Sequence, residues 1–292
     1  MSGARREWLR LDCHLGHPSG TTGRLILAGS LASSPVHFDA CTAKSIDKGY
    51  RSPEIVALRA RLRSALALGR GETVVDAGCG TGLLCAEMAN EVGSSGRVIG
   101  VDTSPHMLTL AKSQCAAHPK IELHHGDIHV LPMDDAAANA LACMQVLLFV
   151  TDVASALLEF HRVLAPTGRL VIVETDWRSA VLNTSNKDLT HRLFEFWDTV
   201  AASPNLPARL GPLLRDAGFD VKAIEVVPIL NTAFTPDSFS HDYVKGLAHQ
   251  ASAAGVLSDT QASHWIADLE QKERDGGYFF CVNRFVFTAA KT

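Results

Sequence analysis

The chain of 292 residues lacks a run of about 18 unbroken apolar residues, the length that a membrane-spanning helix needs. It also lacks a basic excess: its formal charge at pH 7 is -4, whereas proteins that bind nucleic acids usually carry a basic stripe. We therefore expect neither a membrane span nor a nucleic-acid partner. The oligomeric state stays open.

Cysteine occurs at seven positions, without C-x-x-C pairs and without the dense spacing of a secreted disulfide framework. Three early arginines are not followed by the apolar segment of a secretory signal peptide. We predict reduced thiols and a cytoplasmic location. Residues 1–36 lack firm periodicity and are rich in Ser, Gly and Arg, so an organellar presequence stays an alternative.

What the chain does have is an apolar strand that runs into Asp76 and then into three alternate glycines. Glycine lets the backbone turn sharply and pass close to a bound cofactor. Gly78, Gly80 and Gly82 form the pattern G-x-G-x-G, and Leu83 stands where a dinucleotide fingerprint requires its third glycine or alanine. The pattern indicates a nucleotide cofactor and disfavours a nicotinamide dinucleotide.

Two more acids follow the next two apolar segments. Residues 97–102 end in Asp102, and residues 121–125 lead directly to Gly126-Asp127. Taken singly, each acid is as well explained by a helix cap or a solvated position. Taken together at successive strand ends, after a glycine loop, they indicate one binding site at the carboxyl edge of a parallel sheet.

These motifs resemble, over about residues 73–177, the class I S-adenosylmethionine-dependent methyltransferases. Within that family they are similar to the methyltransferases of ubiquinone and menaquinone biosynthesis and their small-molecule relatives. Leu131-Pro132, the fourth strand at 141–147 and the turn and strand at 166–174 continue the likeness in the correct order. The resemblance implies an α/β fold, with a doubly wound seven-stranded Rossmann-like sheet of order 3-2-1-4-5-7-6 and an antiparallel last strand.

The resemblance also implies S-adenosyl-L-methionine as the cofactor. Asp76 would attract the ammonium group of its methionine tail, Asp102 would hold the ribose hydroxyls, and Asp127 would meet the adenine amino group. The other residues that the resemblance places at the cofactor are Tyr50, Gly78, Cys79, Gly80, Thr103, Met107, Gly126, Ile128, Cys143 and Gln145.

Motifs that are absent at the end of the fourth strand exclude several classes of substrate. Residues 143–146 read Cys-Met-Gln-Val, not the (Asp/Asn)-Pro-Pro-(Tyr/Phe) motif of resembling enzymes that act on adenine or amide nitrogen. No acid stands at 143 or 145 to serve a metal-dependent catechol-type site, so we expect no metal. Leu148-Phe149 makes the wall apolar where relatives often carry His-His. We predict methyl transfer to O, C or N of a small, moderately hydrophobic metabolite, such as a quinone, polyketide or terpenoid.

About fifty residues separate the sixth and seventh strands, where the minimal fold needs a short hairpin. We expect helices at 237–254 and 258–274 in this insertion and interpret it as a lid, with a simple extension of the core as the alternative. The predicted division is an N-terminal arm and cofactor-capping segment at 1–50, a cofactor-binding core at 51–230, a helical lid at 231–277 and a closing strand at 278–292.

Leu148, Asp176, Trp177 and Tyr243 are the candidate substrate contacts, and a helix at 187–202 is expected to form another wall. A general base is optional, because the sulfonium methyl is already electrophilic and positioning of the acceptor does most of the work. The catalytic residue therefore stays unknown. Three histidines have a suitable pKa for a base but are equally ordinary surface or core residues: His37, His241 and His249.

Two other functions stay open. One is a protein or RNA methyltransferase, although neither basic clusters nor an appended recognition domain is evident. The other is a cofactor-binding subunit without transfer activity, which would keep the three acids of the cofactor site.

Overall fold

The computed structural model describes residues 40–292, except for the side chain of Cys41. The predictions of an irregular arm and an alternative presequence at 1–36, and of a base at His37, lie outside the described residues. Within residues 40–292, no helix is both long enough and apolar enough to cross a bilayer.

Helices and strands alternate through most of the described chain. The helices are α1 (Ala40–Gly49), α2 (Pro53–Leu66), α3 (Leu83–Val92), α4 (Pro105–Gln114), α5 (Val153–Val163), α6 (Lys187–Val200), α7 (Leu206–Asp216), α8 (Phe239–Ala253) and α9 (Asp259–Arg274). The strands are β1 (Thr73–Ala77), β2 (Arg97–Asp102), β3 (Ile121–His125), β4 (Ala138–Met144), β5 (Leu164–Leu182), β6 (Phe219–Asn231) and β7 (Phe280–Lys291).

The strands form one sheet in the order β3-β2-β1-β4-β5-β7-β6. Neighbours from β3 to β5 pair in parallel, and β7 pairs antiparallel with both β5 and β6. The predicted sheet order and the reversed last strand are confirmed. Right-handed crossovers of parallel strands place helices on both faces, so the central strands are buried and almost wholly apolar.

Side chains alternate between two hydrophobic cores along each central strand. On β4, Ala142 and Met144 belong to the core on one face, whereas Leu141 and Cys143 belong to the core on the other. The first core includes residues of α2, α3, α6, α8 and α9, and the second includes residues of α5 and α7. This alternation decides which residues of a strand can reach a site on a given face.

The fifth strand is longer than the sequence predicts. It continues to Leu182 because β7 offers backbone partners along the same length, from Arg169 opposite Ala290 to Leu182 opposite Phe280. Asp176 and Trp177 therefore lie within β5, beyond residue 174, where the strand predicted from the sequence ends. The register shifts between Asp176 and Val181, which marks an irregular stretch in the middle of the pairing.

Helices α8 and α9 occupy the insertion between β6 and β7, so the two predicted helices are confirmed. Val244 and Leu247 of α8 are buried in the first core together with Trp265 of α9. The indole Nε1 of Trp265 donates a hydrogen bond of 2.8 Å to Thr190 of α6. The insertion is thus packed against the sheet and α6.

Helix α1 is an element that the sequence did not predict. It ends at Gly49, and Tyr50 lies in the turn between α1 and α2. The turn is closed by backbone bonds, including one from the Tyr50 N–H to the Ile46 carbonyl at 2.8 Å. Tyr50 is therefore held between two helices.

We predict that Phe160→Ala lowers the free energy of unfolding by about 3–5 kcal/mol, because its ring fills the second core and leaves a cavity when removed. Phe160 is 0% exposed, whereas Leu158 on the same helix is 56% exposed. Leu158→Ala is the matched control and should change stability by less than about 0.5 kcal/mol. Urea unfolding measures both, and equal losses would contradict the packing of α5.

Candidate functional site

A large cavity lies at the carboxyl edge of β1, β2 and β4. Its volume is about 710 Å³, within the range of roughly 300–1,000 Å³ that is usual for small-molecule sites. The glycine loop after β1, the segments after β2 and β3, and residues of α1, α6 and α8 all contribute to its walls. The cavity therefore opens where ligands bind in doubly wound sheets, outside the carboxyl ends of the strands.

The glycine loop presents its backbone to this cavity. Gly78 has φ of 78°, and a Cβ added to it would overlap the side chain of Val146. Gly80 has φ of 53°, and its N–H donates a hydrogen bond of 2.9 Å to Asp102. L side chains rarely adopt this left-handed region, so both glycines are required by conformation, and Gly78 also by space.

Asp76 lies one residue before the end of β1 and is 2% exposed. The Sγ of Cys85 donates to its Oδ2 at 3.2 Å. Burial raises the pKa of Asp76 to about 7; the bond from Cys85 opposes this shift, and the nearby charge of Asp102 adds to it. The carboxyl group therefore titrates near neutral pH, and a cation placed beside it would favour the ionised form.

Asp102 ends β2 with both carboxylate oxygens held by backbone groups. Oδ2 accepts from the Gly80 N–H at 2.9 Å, and Oδ1 accepts from the Ser104 N–H at 2.8 Å. Burial raises the pKa of Asp102, while the bonds from Ser104 and Gly80 oppose the shift. The carboxylate is thus oriented against the glycine loop and keeps lone pairs for a ligand.

Asp127 follows β3, and its Oδ1 accepts from the backbone N–H of His129 at 2.9 Å and from the His129 ring Nδ1 at 2.5 Å. Burial acts to raise the pKa of Asp127, but the two bonds from His129 outweigh it and the pKa is lowered. The His129 Nε2 lies 3.0 Å from the carbonyl oxygen of Asp152. Since both ring nitrogens face acceptors, the charged imidazolium is favoured; its pKa is raised although burial acts to lower it.

Gln145 lies at the exit of β4 in a left-handed conformation, with φ of 59°. Its side-chain Nε2 donates to the Val173 carbonyl at 3.2 Å, and its Oε1 accepts from the Thr175 hydroxyl at 2.6 Å. Non-glycine residues in this region are uncommon and concentrate at functional sites. The side chain is therefore fixed against β5 where the strand exit meets the cavity.

Most of the sequence-predicted site residues line this one cavity. They are Tyr50, Asp76, Gly78, Cys79, Gly80, Asp102, Thr103, Met107, Asp127, Ile128 and Gln145, together with Leu148, Trp177 and Tyr243 from the predicted substrate contacts. The acids of three strand ends and the aromatic residues of β5 and α8 thus share one space.

Three predicted residues are not in the lining. Cys143 faces the second core because of the alternation along β4. Gly126 lies behind Asp127 and donates its N–H to the Asp102 carbonyl at 3.1 Å. Asp176 accepts from the Arg178 N–H at 3.1 Å within the irregular part of β5, so its expected place in the substrate pocket is not what the structure shows.

The two candidate bases within the described chain also lie elsewhere. The His241 ring contacts Asp242 at 2.8 Å and Lys245 at 3.0 Å and is not in the cavity lining. His249 is exposed on α8. Each is thus an ordinary histidine of the α8 surface.

The sequence reading missed Arg59, His129 and Arg284, which also line the cavity. Arg284 is 2% exposed on β7, on the same face of the strand as the buried residues Val282 and Val286. An arginine among the apolar residues of one strand face is a pattern from which the sequence could have indicated a site residue. His129 stands two residues after Asp127, and no motif in the sequence marks it as a site residue.

The sheet order and the glycine loop flanked by three acids define the class of Rossmann-like enzymes that use a nucleoside cofactor. Comparison with known proteins agrees. A family model described as a methyltransferase domain matches residues 75–172. An uncharacterised 37.1 kDa protein of transposon Tn4556 from Streptomyces fradiae is 31% identical, over 100% of this chain and 80% of its own length.

A demethylmenaquinone methyltransferase of Staphylococcus epidermidis is 38% identical over 117 residues, which are 40% of this chain and 48% of that protein. The chain thus matches about half the length of this relative. Geranyl diphosphate C-methyltransferase of Streptomyces coelicolor, solved with geranyl diphosphate and S-adenosyl-L-homocysteine, shares the fold with a TM-score of 0.52. It is 18% identical, with 81% of this chain and 79% of that chain covered.

The chain belongs to the family of class I S-adenosylmethionine-dependent methyltransferases. The methyltransferase domain of this family covers residues 75–172 of the chain.

We predict that the free energy of unfolding of the ligand-free protein falls between about pH 4 and pH 7 partly through Asp76. Burial raises its pKa to about 7 in the folded state, so the folded state binds more protons than the unfolded state in this window. Asp76→Asn removes the titrating carboxyl group. The substitution should therefore reduce the change in the free energy of unfolding between pH 4 and pH 7 by up to about 4 kcal/mol.

Urea unfolding at pH 4.5, 6.0 and 7.5 measures the effect. Asp237→Asn, at an exposed position outside the cavity, is the control and should keep the native dependence. Parallel curves for the native protein and Asp76→Asn would show that burial does not hold the proton on this carboxyl group.

Proposed function

We propose that the enzyme transfers the methyl group of S-adenosyl-L-methionine to an oxygen, carbon or nitrogen atom of a small, moderately hydrophobic metabolite. The observation that carries the proposal is the composition of the cavity. Asp76, Asp102 and Asp127 line one part of it, and the aromatic residues Trp177 and Tyr243 line another. One space thus offers groups for a cationic nucleoside and a wall for an apolar acceptor.

The cofactor part fits the three chemical pieces of S-adenosyl-L-methionine. Asp102 would accept hydrogen bonds from the ribose hydroxyls, because its oxygens are already oriented by Gly80 and Ser104. Asp76 would face the ammonium group, and a cation there would compensate the burial that raises its pKa. Asp127 would accept from the adenine amino group, with Ile128 against the ring.

The acceptor part has flat, apolar walls. The rings of Trp177 and Tyr243 are stacked, with centroids 4.2 Å apart and an interplanar angle of 11°. Phe239 continues the stack, 5.7 Å from Tyr243 at 12°, and Leu148 adds a buried aliphatic side chain. These surfaces support a quinone, polyketide or terpenoid-like acceptor, which would bury apolar area there.

When bound, the cofactor supplies an electrophilic methyl group on a sulfonium. What the chain contributes is placement of the acceptor and exclusion of water. Gln145 is fixed to β5 by two side-chain hydrogen bonds, and the aromatic wall limits where a flat molecule can lie. Holding the reacting atoms in line accounts for a large part of the rate in such transfers.

We propose that α8 acts as a lid over the acceptor and that α1 with Tyr50 caps the cofactor. Phe239, Tyr243 and Leu247 of α8 line the cavity, and so do Ser45 and Ile46 of α1. The buried face of α8 is also part of the first core. Removal of the insertion would therefore damage the core, and its role is better tested by single substitutions.

We also propose a cytoplasmic location. The cysteines that the structure describes are free: Cys79, Cys85, Cys115, Cys143 and Cys281. Free thiols are typical of compartments that keep cysteine reduced.

We predict that Asp102→Ala weakens the binding of S-adenosyl-L-homocysteine by roughly 10- to 150-fold, because charge-assisted hydrogen bonds contribute about 1.5–3 kcal/mol. Isothermal titration calorimetry on the folded variant measures the loss. Asp237→Ala is the control and should bind as the native protein does. Native affinity in Asp102→Ala would contradict the ribose assignment, and no affinity in the native protein would contradict the proposed cofactor site.

A further inference from the structure

Arg284 is a buried cation without a hydrogen-bonding partner on two of its nitrogens. It is 2% exposed, and its Nε and Nη1 find no acceptor in the part of the chain that the structure describes. The guanidinium carbon lies 4.9 Å from the centre of the Phe239 ring, and Tyr50 is within hydrogen-bonding reach of the group. Leaving a buried guanidinium unpaired costs several kcal/mol, so the position calls for an explanation.

Glu174 is the buried acid nearest in effect to Arg284, and its carboxyl group bonds to the backbone of the β4 exit. Glu174 is 0% exposed, and its Oε1 accepts from the N–H groups of Val146 at 3.1 Å and Leu147 at 2.8 Å. Burial raises the pKa of Glu174 to about 8, which keeps this carboxyl group largely protonated at pH 7. Glu174 thus directs its Oε1 at backbone groups of the β4 exit, and Nε and Nη1 of Arg284 stay without an acceptor in the described part of the chain.

Other unsatisfied polar atoms surround the same space. Among the described residues, the indole Nε1 atoms of Trp177 and Trp197 and the hydroxyl of Tyr243 are buried without a hydrogen-bond partner. All three residues line the cavity, as Arg284 does. Indole and guanidinium nitrogens can only donate, and a tyrosine hydroxyl can donate. The Oε1 atom of Gln250 is an unpartnered acceptor in the same lining, so within the described chain unused donors outnumber unused acceptors there.

The position of Arg284 links these donors to the site of transfer. In the sheet, Arg284 of β7 lies opposite Thr175 of β5. The Thr175 hydroxyl in turn donates to Gln145 at 2.6 Å. An acceptor molecule held by Arg284 would therefore extend past the β5 wall towards the exit of β4, where the glycine loop begins the cofactor part.

We propose that Arg284 binds a carboxylate on the methyl acceptor, so that the enzyme acts on a flat apolar acid whose ring system lies against Trp177 and Tyr243. A carboxylate matches the fork of guanidinium donors and supplies the charge that the buried arginine lacks. The inference rests on the proposed function and narrows its substrate class from moderately hydrophobic metabolites to acidic ones.

The test uses 2-naphthoate and 2-naphthamide, which share one ring system and differ in charge. Both are titrated by calorimetry into the full-length protein saturated with S-adenosyl-L-homocysteine, and into the protein alone. We expect the native protein to bind 2-naphthoate at least tenfold more tightly than 2-naphthamide at pH 7.5. Equal affinities, or no binding of 2-naphthoate at millimolar concentration, would overturn the proposal.

The decisive variant is Arg284→Met, which keeps the length of the side chain and removes its charge. It should lose the preference for the acid while binding S-adenosyl-L-homocysteine within about twofold of the native protein. Arg178→Met, at an exposed arginine outside the cavity, should keep the preference. A preference that survives in Arg284→Met would overturn the assignment.

Thermal unfolding separates this role from a structural one. Replacing an unpaired buried charge by an apolar side chain of similar length is often neutral or stabilising. We therefore expect the melting temperature of Arg284→Met to equal or exceed that of the native protein, and a large decrease would instead make Arg284 a structural residue. Because cofactor-product binding is measured separately, loss of the acid preference alone leaves the proposed methyl transfer intact.

Discussion

The parallel pairing of β1 with β2 and β4 is the constraint on which the site depends. The register places Ala77 of β1 opposite Val101 of β2, so Asp76 and Asp102 lie at the same edge of the sheet. The Gly78 and Cys79 N–H groups then bond to the Val101 carbonyl at 2.8 and 2.9 Å, which binds the glycine loop to β2. Without this register, neither the loop nor the acids would share a cavity.

The cavity combines two kinds of buried charge that the fold itself does not neutralise. Asp76 is buried among groups that raise its pKa, and Arg284 is buried with two unpartnered nitrogens. Both lower the stability of the ligand-free protein, since charges are costly in a low-dielectric interior. Such costs are expected at binding sites, where a ligand of opposite charge supplies the missing interaction. Carboxyl groups in one part and unused donors in another match a cationic cofactor and an acidic acceptor.

Several walls of the cavity are also parts of the hydrophobic core. Helix α8 contributes Tyr243 to the stacked rings and Val244 and Leu247 to the first hydrophobic core. Strand β5 contributes Trp177 to the same stack and is paired with β7 over most of its length. The same packing that stabilises the insertion therefore positions the aromatic wall of the cavity.

The motifs along the chain were sufficient to predict the glycine loop and the three acids, because strand ends and backbone turns are encoded in contiguous residues, and the sheet order followed from the family resemblance that these motifs carry. Contacts between distant segments could not be predicted in this way. Cys143 faces away from the cavity because of the alternation along β4, Asp176 lies within β5 because β7 extends it, and Arg284 enters the site from a strand more than 180 residues after Asp102. The sequence by itself determined the glycine loop and the three acids at the strand ends, because these residues lie in local motifs. The tertiary structure decided the aromatic part of the cavity and the place of Arg284 in it, because these side chains meet only when β5, β7, α6 and α8 pack together.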